Sequence, residues 1–340
     1  MKQLISYLLI ILMFSCIRGE SQLNYKLSKG SKRKLEESNP KITSLSWEPL
    51  RIHYEFLNNN YDTKSIEFLK TVFDKTATFF QKHLLIQRTD STITYRNIYP
   101  KSLFGFSINE AYLNKEFEAD LVFFINIENN PSETYLAYCG PAIFDIETLR
   151  PIFGLISWNM HYSKLDKMTN SIFEANLETA IHEVIHGLGF IDDYFTSFYD
   201  SYTGNSYNTS NIFYSFSASY LSTPRVTNFV QYHFNCTTLL GLQMENNGGQ
   251  GTQGSHLERT LFYNEMMTGS DMTGNFLITD FTFELLQDTG FYRVADYSPD
   301  QPIWGKRGWG WGWVWVWSLH TPFTTWCQYQ GWGRQEFFQF

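Results

Sequence analysis

Hydrophobic positions recur along the chain with two different periods, and the period predicts which segments are strands and which are helices. Alternation of apolar and polar residues predicts a strand at residues 50–56, and apolar residues three and four apart predict a helix over residues 65–83. Mostly apolar runs predict strands at residues 119–127 and 150–159, and a second helical pattern covers residues 170–190. Because strands and helices alternate ahead of this second helix, we expect a mixed sheet with helices packed against it.

The C-terminal half is patterned less regularly. After Gly189, and as far as Gly254, no clear period is visible and Tyr, Phe, Ser and Asn are frequent. Residues 278–291 again show helical spacing, with Thr279 as a cap at the start and Gly290 just past the end. We therefore expect an irregular C-terminal part that contains at least this helix.

The helix predicted over residues 170–190 carries the candidate chemistry. His182 and His186 are four residues apart, so their imidazoles project from one helix face and can share one cation. Two neutral imidazoles suit zinc, and the carboxylate of Glu183 can take a proton from a water that the metal activates. This is the His-Glu-x-x-His arrangement of zinc hydrolases.

A third metal ligand has to come from outside this helix. Gly187 and Gly189 weaken the helix directly after His186, so the chain can turn away there. Asp192 follows six residues beyond His186, at a compact spacing, whereas His256 follows seventy residues beyond it. Zinc accepts nitrogen or oxygen ligands, so the chemistry alone leaves both candidates open.

The two ends of the chain differ from the segments between them. An apolar run over residues 4–17 predicts a signal peptide at residues 1–19 and is shorter than the roughly 20 residues that span a bilayer. Residues 20–46 are polar and predict a linker or the remnant of a pro-segment. Residues 304–340 hold eight of the ten tryptophans and predict a low-complexity tail.

Charge and cysteine content narrow the classes of function. The formal net charge is −8 and no basic cluster falls in the folded part, so we expect no nucleic-acid partner. Beyond the predicted signal peptide the cysteines are Cys139, Cys236 and Cys327, enough for one disulfide in any of three pairings. We expect a secreted protein, extracellular or at the cell surface, without a membrane span.

Five short motifs follow one another between about residue 50 and residue 308. They read AYCGPAIFDIETLRPIFGLISWN, IHEVIHGLGF, HFNCTTLLGLQMEN, GSHLERTLFYNEMMTG and LLQDTGFY. In this order they resemble the leishmanolysin family of metzincin metallopeptidases. The resemblance implies an α+β fold of the zincin type, with a mixed twisted sheet and the active-site helix in residues 47–190. It also implies an insertion and a largely irregular and helical C-terminal part in residues 191–303.

The same resemblance implies roles for individual residues. In that family an insertion separates the glycine after the second histidine from the third histidine, which implies that His256 is the third ligand and Asp192 is not. One zinc ion would then be bound by His182, His186 and His256. The methionine turn of the family falls on NEMMTG, which implies that Met267 forms a hydrophobic floor beneath the metal.

Together these features predict a secreted zinc metalloendopeptidase that hydrolyses peptide bonds in proteins. Zinc-activated water would attack the scissile carbonyl with Glu183 as general base. We expect residues 153–158, as an edge strand, to hold the extended peptide substrate by main-chain hydrogen bonds. Two alternatives are a surface adhesion or binding module that keeps the fold without turnover, and a hydrolase of the same fold with a non-protein substrate.

Overall fold

The computed structural model describes most of the central part of the chain. The described residues are 46–58, 61–165, 169–207, 213–215, 219–249, 251–269, 276–295 and 299–300. The predicted signal peptide, the polar segment before Ser46 and the tryptophan-rich tail lie outside them. Among the helices of the described residues, none combines the length and the apolar character that a bilayer-crossing segment requires.

The chain is a mixed α/β protein. Its helices are α1 (Thr63–His83), α2 (Asn170–Gly187), α3 (Pro224–His233), α4 (Arg259–Phe262) and α5 (Asp280–Asp288). Its longer strands are β2 (Ile52–Phe56), β3 (Leu84–Gln87), β8 (Leu121–Glu128), β9 (Ala137–Phe144) and β10 (Pro151–Asn159). Its short strands are β1 (Trp47–Pro49), β4 (Ile93–Thr94), β5 (Ser102–Leu103), β6 (Phe106–Ser107), β7 (Glu116–Phe117), β11 (Phe213–Ser215), β12 (Ser219–Leu221), β13 (Leu242–Met244) and β14 (Tyr292–Val294).

The chain divides into two compact units. Among the described residues, the first unit comprises those from 46 to 189, Asp200–Ser206 and 291–295. The second unit comprises Phe190–Tyr199, the described residues from Tyr207 to Gly290, and residues 299–300.

A four-stranded sheet organises the first unit. Its strand order is β2-β8-β10-β9, with β8 parallel to both β2 and β10, and β9 antiparallel to β10. Every residue of β10 and nearly every residue of β8 is buried, as expected for strands covered on both faces. The prediction that residues 153–158 form an edge strand is wrong, because β10 pairs on both sides and its main chain is already hydrogen-bonded. The edge position beside β10 belongs to β9 instead.

The two long helices of the first unit confirm the predicted helical patterns. Asp62 caps α1, since its side chain accepts a hydrogen bond from the Ser65 N–H at 3.0 Å. Thr169 caps α2 in the same way, through the N–H of Ile172. Helix α1 packs against α2 and β2, and α2 packs against β9 and β10, so one face of each helix is buried.

The second unit contains a small antiparallel sheet and the helices α3, α4 and α5. The sheet has the order β11-β12-β13. Phe281 of α5 is its main packing residue, with its ring centroid 4.9 Å from those of Phe229, His233 and Phe262. Helix α5 confirms the helix predicted over residues 278–291, and Thr279 caps it by accepting from the Phe281 N–H.

The cysteines occupy two different environments. Cys139 is a free, buried thiol on β9. Cys236, which follows α3, is disulfide-bonded.

Candidate metal centre

Helix α2 presents two imidazoles to one point. The Nε2 atoms of His182 and His186 lie 3.1 Å apart, and the two rings are nearly perpendicular. Two nitrogen ligands at about 2.05 Å from a tetrahedral zinc ion are about 3.3 Å apart, so the observed separation fits a shared zinc ion. Helix α2 therefore places the two histidines on the same face, as their spacing predicts.

The last residue of helix α2, Gly187, is closely packed. A Cβ atom on Gly187 would lie 2.3 Å from a ring carbon of Phe123 and 2.9 Å from the Sγ of Cys139, so no larger residue fits without displacement. Gly189 then adopts a φ of 119°, which favours glycine and turns the chain away after the helix.

Glu183 lies on the buried side of α2, beside the first histidine. Burial raises the pKa of Glu183 to about 8, against the opposing effect of a hydrogen bond from the backbone N–H of Cys139. Its Oε2 atom is buried and has no hydrogen-bond partner among the described residues. Oε2 can therefore accept a hydrogen bond from a bound water or substrate.

His256 stands at the end of a loop that follows β13. Its Nδ1 lies 3.1 Å from the carbonyl oxygen of Thr252. Because a carbonyl can only accept, Nδ1 carries the proton and Nε2 carries the lone pair that a metal needs. The backbone of the loop is closed by the Glu245 N–H, which donates to the His256 carbonyl at 2.7 Å.

Met267 lies in a tight turn that is joined to the residue after His256. The Thr268 N–H donates to the Glu265 carbonyl at 3.1 Å and closes the turn, and the Met267 side chain is fully buried. The Leu257 N–H donates to the Met267 carbonyl at 2.8 Å. Met267 therefore lies in a turn that contacts the strand-like segment carrying His256. Its role as a floor beneath a metal stays a prediction.

Asp192, the other candidate for the third ligand, is exposed and engaged elsewhere. Its Oδ1 accepts a hydrogen bond from the Ser255 hydroxyl at 3.1 Å. Gly254, with a φ of 81°, passes close to the same carboxylate, and a Cβ there would lie 3.2 Å from Oδ2. Asp192 therefore contacts the loop that carries His256, next to the candidate ligand.

The metal-binding atoms of three histidines come together. The nitrogen atoms that His182, His186 and His256 can offer all lie within 4.8 Å of one another, so this group could hold one metal ion. Asp192 is not part of the group. Three neutral imidazoles with an adjacent carboxylate are a donor set that fits catalytic zinc, which keeps its fourth position for water or substrate.

Sequence reasoning missed two residues that contact the predicted ones. Cys139 of β9 lies close to Glu183 and to the last turn of α2, and no local pattern predicts contact between a strand and a helix this distant in sequence. Glu265 accepts a hydrogen bond from the Met267 N–H at 2.8 Å. Its position two residues before Met267 is the only signal that could have drawn attention to it.

The fold and the donor set together define a mixed α/β protein with a candidate three-histidine metal centre. A model of the leishmanolysin peptidase family matches residues 61–327, which is most of the chain. The chain belongs to the leishmanolysin family, and the resemblance predicted from its motifs is confirmed. The family match continues past residue 308 and so includes the first part of the tryptophan-rich segment.

Curated relatives carry names from the same family. The chain is 29% identical to a leishmanolysin-like peptidase of Caenorhabditis elegans over 208 residues, covering 51% of this chain and 30% of the relative. It is 44% identical to a leishmanolysin-like peptidase of Drosophila melanogaster over 85 residues, 25% of this chain and 12% of the relative. A leishmanolysin homolog of Crithidia fasciculata is 30% identical over 128 residues, 37% of this chain and 18% of the relative. The matched regions span about a third or less of these relatives.

Proposed function

We propose that this chain is a zinc metalloendopeptidase of the metzincin type that binds one zinc ion through His182, His186 and His256. The observation that carries the proposal is the group of three imidazole nitrogens beside a buried glutamate, in a chain of the leishmanolysin family. The Thr252 carbonyl supports His256 as third ligand, because it fixes the tautomer that a metal needs. Met267 would be the methionine of the turn.

Glu183 is the proposed general base. Zinc, when bound, supplies a Lewis acid that makes water acidic enough to attack at neutral pH and polarises the scissile carbonyl. The Oε2 atom of Glu183 accepts the proton, and the same carboxyl returns it to the leaving amine.

The edge strand β9 is the proposed peptide-binding strand. Its outer side has no neighbour in the described sheet, so its main chain can pair with an extended peptide. Cys139 lies on this strand and contacts both Glu183 and the last turn of α2, which would bring a peptide on β9 close to the general base. Substrates would therefore be proteins or peptides bound in extended form.

We further propose that the protein acts outside the cell. The disulfide of Cys236 is typical of an oxidising compartment, and the apolar run over residues 4–17 is typical of a signal peptide. Expression of the full-length chain should place it in the medium or on the cell surface with residues 1–19 removed, as read by mass spectrometry of its N-terminus. Retention in the cytosol with an intact N-terminus would contradict this.

The function is tested by replacing the general base. Glu183→Ala should keep the zinc content of the wild type and lose peptidase activity by several orders of magnitude, because the metal ligands stay while the proton acceptor is removed. Glu174→Ala, an exposed glutamate on the same helix, is the matched control and should change neither. The measurements are metal analysis and hydrolysis of casein with and without a chelator.

The same experiment separates the alternatives. Wild-type protein that binds zinc but cleaves neither casein nor short peptides would support a binding module without turnover. Undiminished activity of Glu183→Ala would remove the proposed mechanism.

A further inference from the structure

A second buried glutamate lies in the turn that carries Met267. Glu265 is only 2% exposed, and it plays no part in the proposed proton transfers. A buried carboxylate is costly unless hydrogen bonds satisfy its oxygens, so its partners indicate what it is there to hold.

Both oxygens of Glu265 are satisfied, and each faces a different segment. Oε2 accepts from the Met267 N–H at 2.8 Å, within the turn. Oε1 accepts from the start of α5, namely from the Thr282 hydroxyl at 2.7 Å and from the hydroxyl and N–H of Thr279 at 3.1 and 3.3 Å. The carboxylate therefore links the turn to the first residues of α5, where the helix dipole also favours a negative charge.

The turn that carries Met267 is also hydrogen-bonded to the segment that carries His256. The Met267 carbonyl accepts from the Leu257 N–H at 2.8 Å. Gly269, just after the turn, passes under the imidazole, since a Cβ there would lie 3.4 Å from the Cγ of His256. A continuous chain of contacts thus leads from α5 through Glu265 and Met267 to the backbone and ring of His256.

We propose that Glu265 is a positioning residue for the metal ligand His256. It fixes the turn against α5, and the turn fixes the backbone on which the imidazole stands. The proposal rests on the proposed function in one respect, which is that His256 binds zinc. Residues that hold a metal ligand in place typically contribute a factor of about 10 to 100 in metal affinity.

A carboxylate suits this place better than an amide. The N–H groups of Met267 and Thr279 can only donate, and they face opposite oxygens of Glu265. A glutamine would turn its NH₂ group toward one of them, so that a donor faces a donor in a buried site. Glu265→Gln keeps the shape of the side chain and breaks the link on one side.

The test measures zinc affinity by competition with a chelator of known affinity, together with the melting temperature of the zinc-free protein. Glu265→Gln should bind zinc about 10 to 100 times more weakly than the wild type. With zinc saturating, kcat should fall while KM changes little, because the proposed peptide-binding strand is not involved. Glu284→Gln, a partly exposed glutamate on α5, is the matched control and should leave zinc affinity unchanged.

Thr282→Val provides a second, milder break in the same link. It removes the hydroxyl that donates to Oε1 and keeps the side-chain volume. It should weaken zinc binding less than Glu265→Gln does, and its effect should shrink when it is added to Glu265→Gln, because both act through one contact. If Glu265→Gln does not fold, Thr282→Val alone tests the proposal. A zinc affinity of Thr282→Val equal to that of the wild type would then contradict it.

Three outcomes are distinguishable. Unchanged zinc affinity in folded Glu265→Gln, with only a lower melting temperature, would show a purely structural role and overturn the positioning proposal. A wild-type chain that binds zinc without cleaving peptides would overturn the proposed function alone, because zinc affinity still reports on Glu265. A wild-type chain that binds no zinc would overturn both.

Discussion

The histidine pair of α2 and the single His256 are held by different kinds of structure. On α2 the helical period alone sets the two imidazoles one turn apart, with their Nε2 atoms 3.1 Å from each other. His256 stands on a loop whose backbone is closed by hydrogen bonds with Glu245 and, through Leu257, with Met267. Changes far from the loop can therefore disturb His256, while the pair on α2 depends mainly on its own helix.

The largest expected effect concerns whether the loop contributes a ligand at all. His256→Ala should weaken zinc binding on the order of a thousandfold and abolish peptidase activity, because one of three protein ligands is lost. Asp192→Ala should have a small effect, since that carboxylate contacts Ser255. Zinc titration of both variants is the measurement, and loss of the metal in Asp192→Ala alone would reverse the assignment of the third ligand.

A smaller effect is expected from a substitution at the end of α2, the helix that carries His182 and His186. Gly187→Ala should destabilise the protein by about 1–3 kcal/mol, because its Cβ would overlap the ring of Phe123. Combining it with Phe123→Leu should cost less than the sum of the two single changes, since the smaller side chain makes room. Thermal unfolding of the four proteins measures this, and strict additivity would mean that the close approach is not what excludes a side chain.

The last prediction concerns the pH dependence of stability and Asp288, the C-terminal residue of helix α5. Helix α5 is the helix that anchors the turn next to His256. Asp288 is buried, accepts from the Val226 N–H at 3.0 Å, and burial raises its pKa to about 6. Its unfolded value is about 3.9, so the folded state disfavours the ionised form. The stability that the protonated form contributes is full below about pH 4 and is lost as the pH rises through about 6, by at most about 3 kcal/mol.

Asp288→Asn removes that titration. In zinc-free protein, the difference in melting temperature between Asp288→Asn and the wild type should move in favour of the variant between about pH 4 and pH 6, and then stay level. Comparing the two proteins at each pH cancels the titration of all other groups. A constant difference across this range would mean that Asp288 titrates alike in the folded and unfolded chain.

Local patterns predicted the elements well wherever one period persisted. The helix over residues 170–190 is present as Asn170–Gly187, and the helix over residues 278–291 as Asp280–Asp288. Helix α3 was missed, because the surrounding stretch shows no clear period. Its start is marked only by Thr223 and by a proline in the first turn.

Local sequence patterns did not predict which strands pair with each other. Residues 150–159 were predicted as a strand and are one, yet their place inside the sheet was predicted wrongly. An apolar strand looks the same from its sequence whether one neighbour or two pair with it. β9 is an edge strand because β10 is its only neighbour in the described sheet, whereas β10 also pairs with the more distant strand β8.

The sequence by itself determined the family, through motifs that follow one another in a fixed order along the chain. It also determined the helix with His182 and His186 and the presence of Glu183 beside them, since these depend on residues within a few positions of one another. Tertiary structure alone decided the surroundings of these groups. It set the burial of Glu183 near Cys139 and the link from Glu265 to α5. These depend on contacts between separate elements of the fold, and such contacts leave no local pattern.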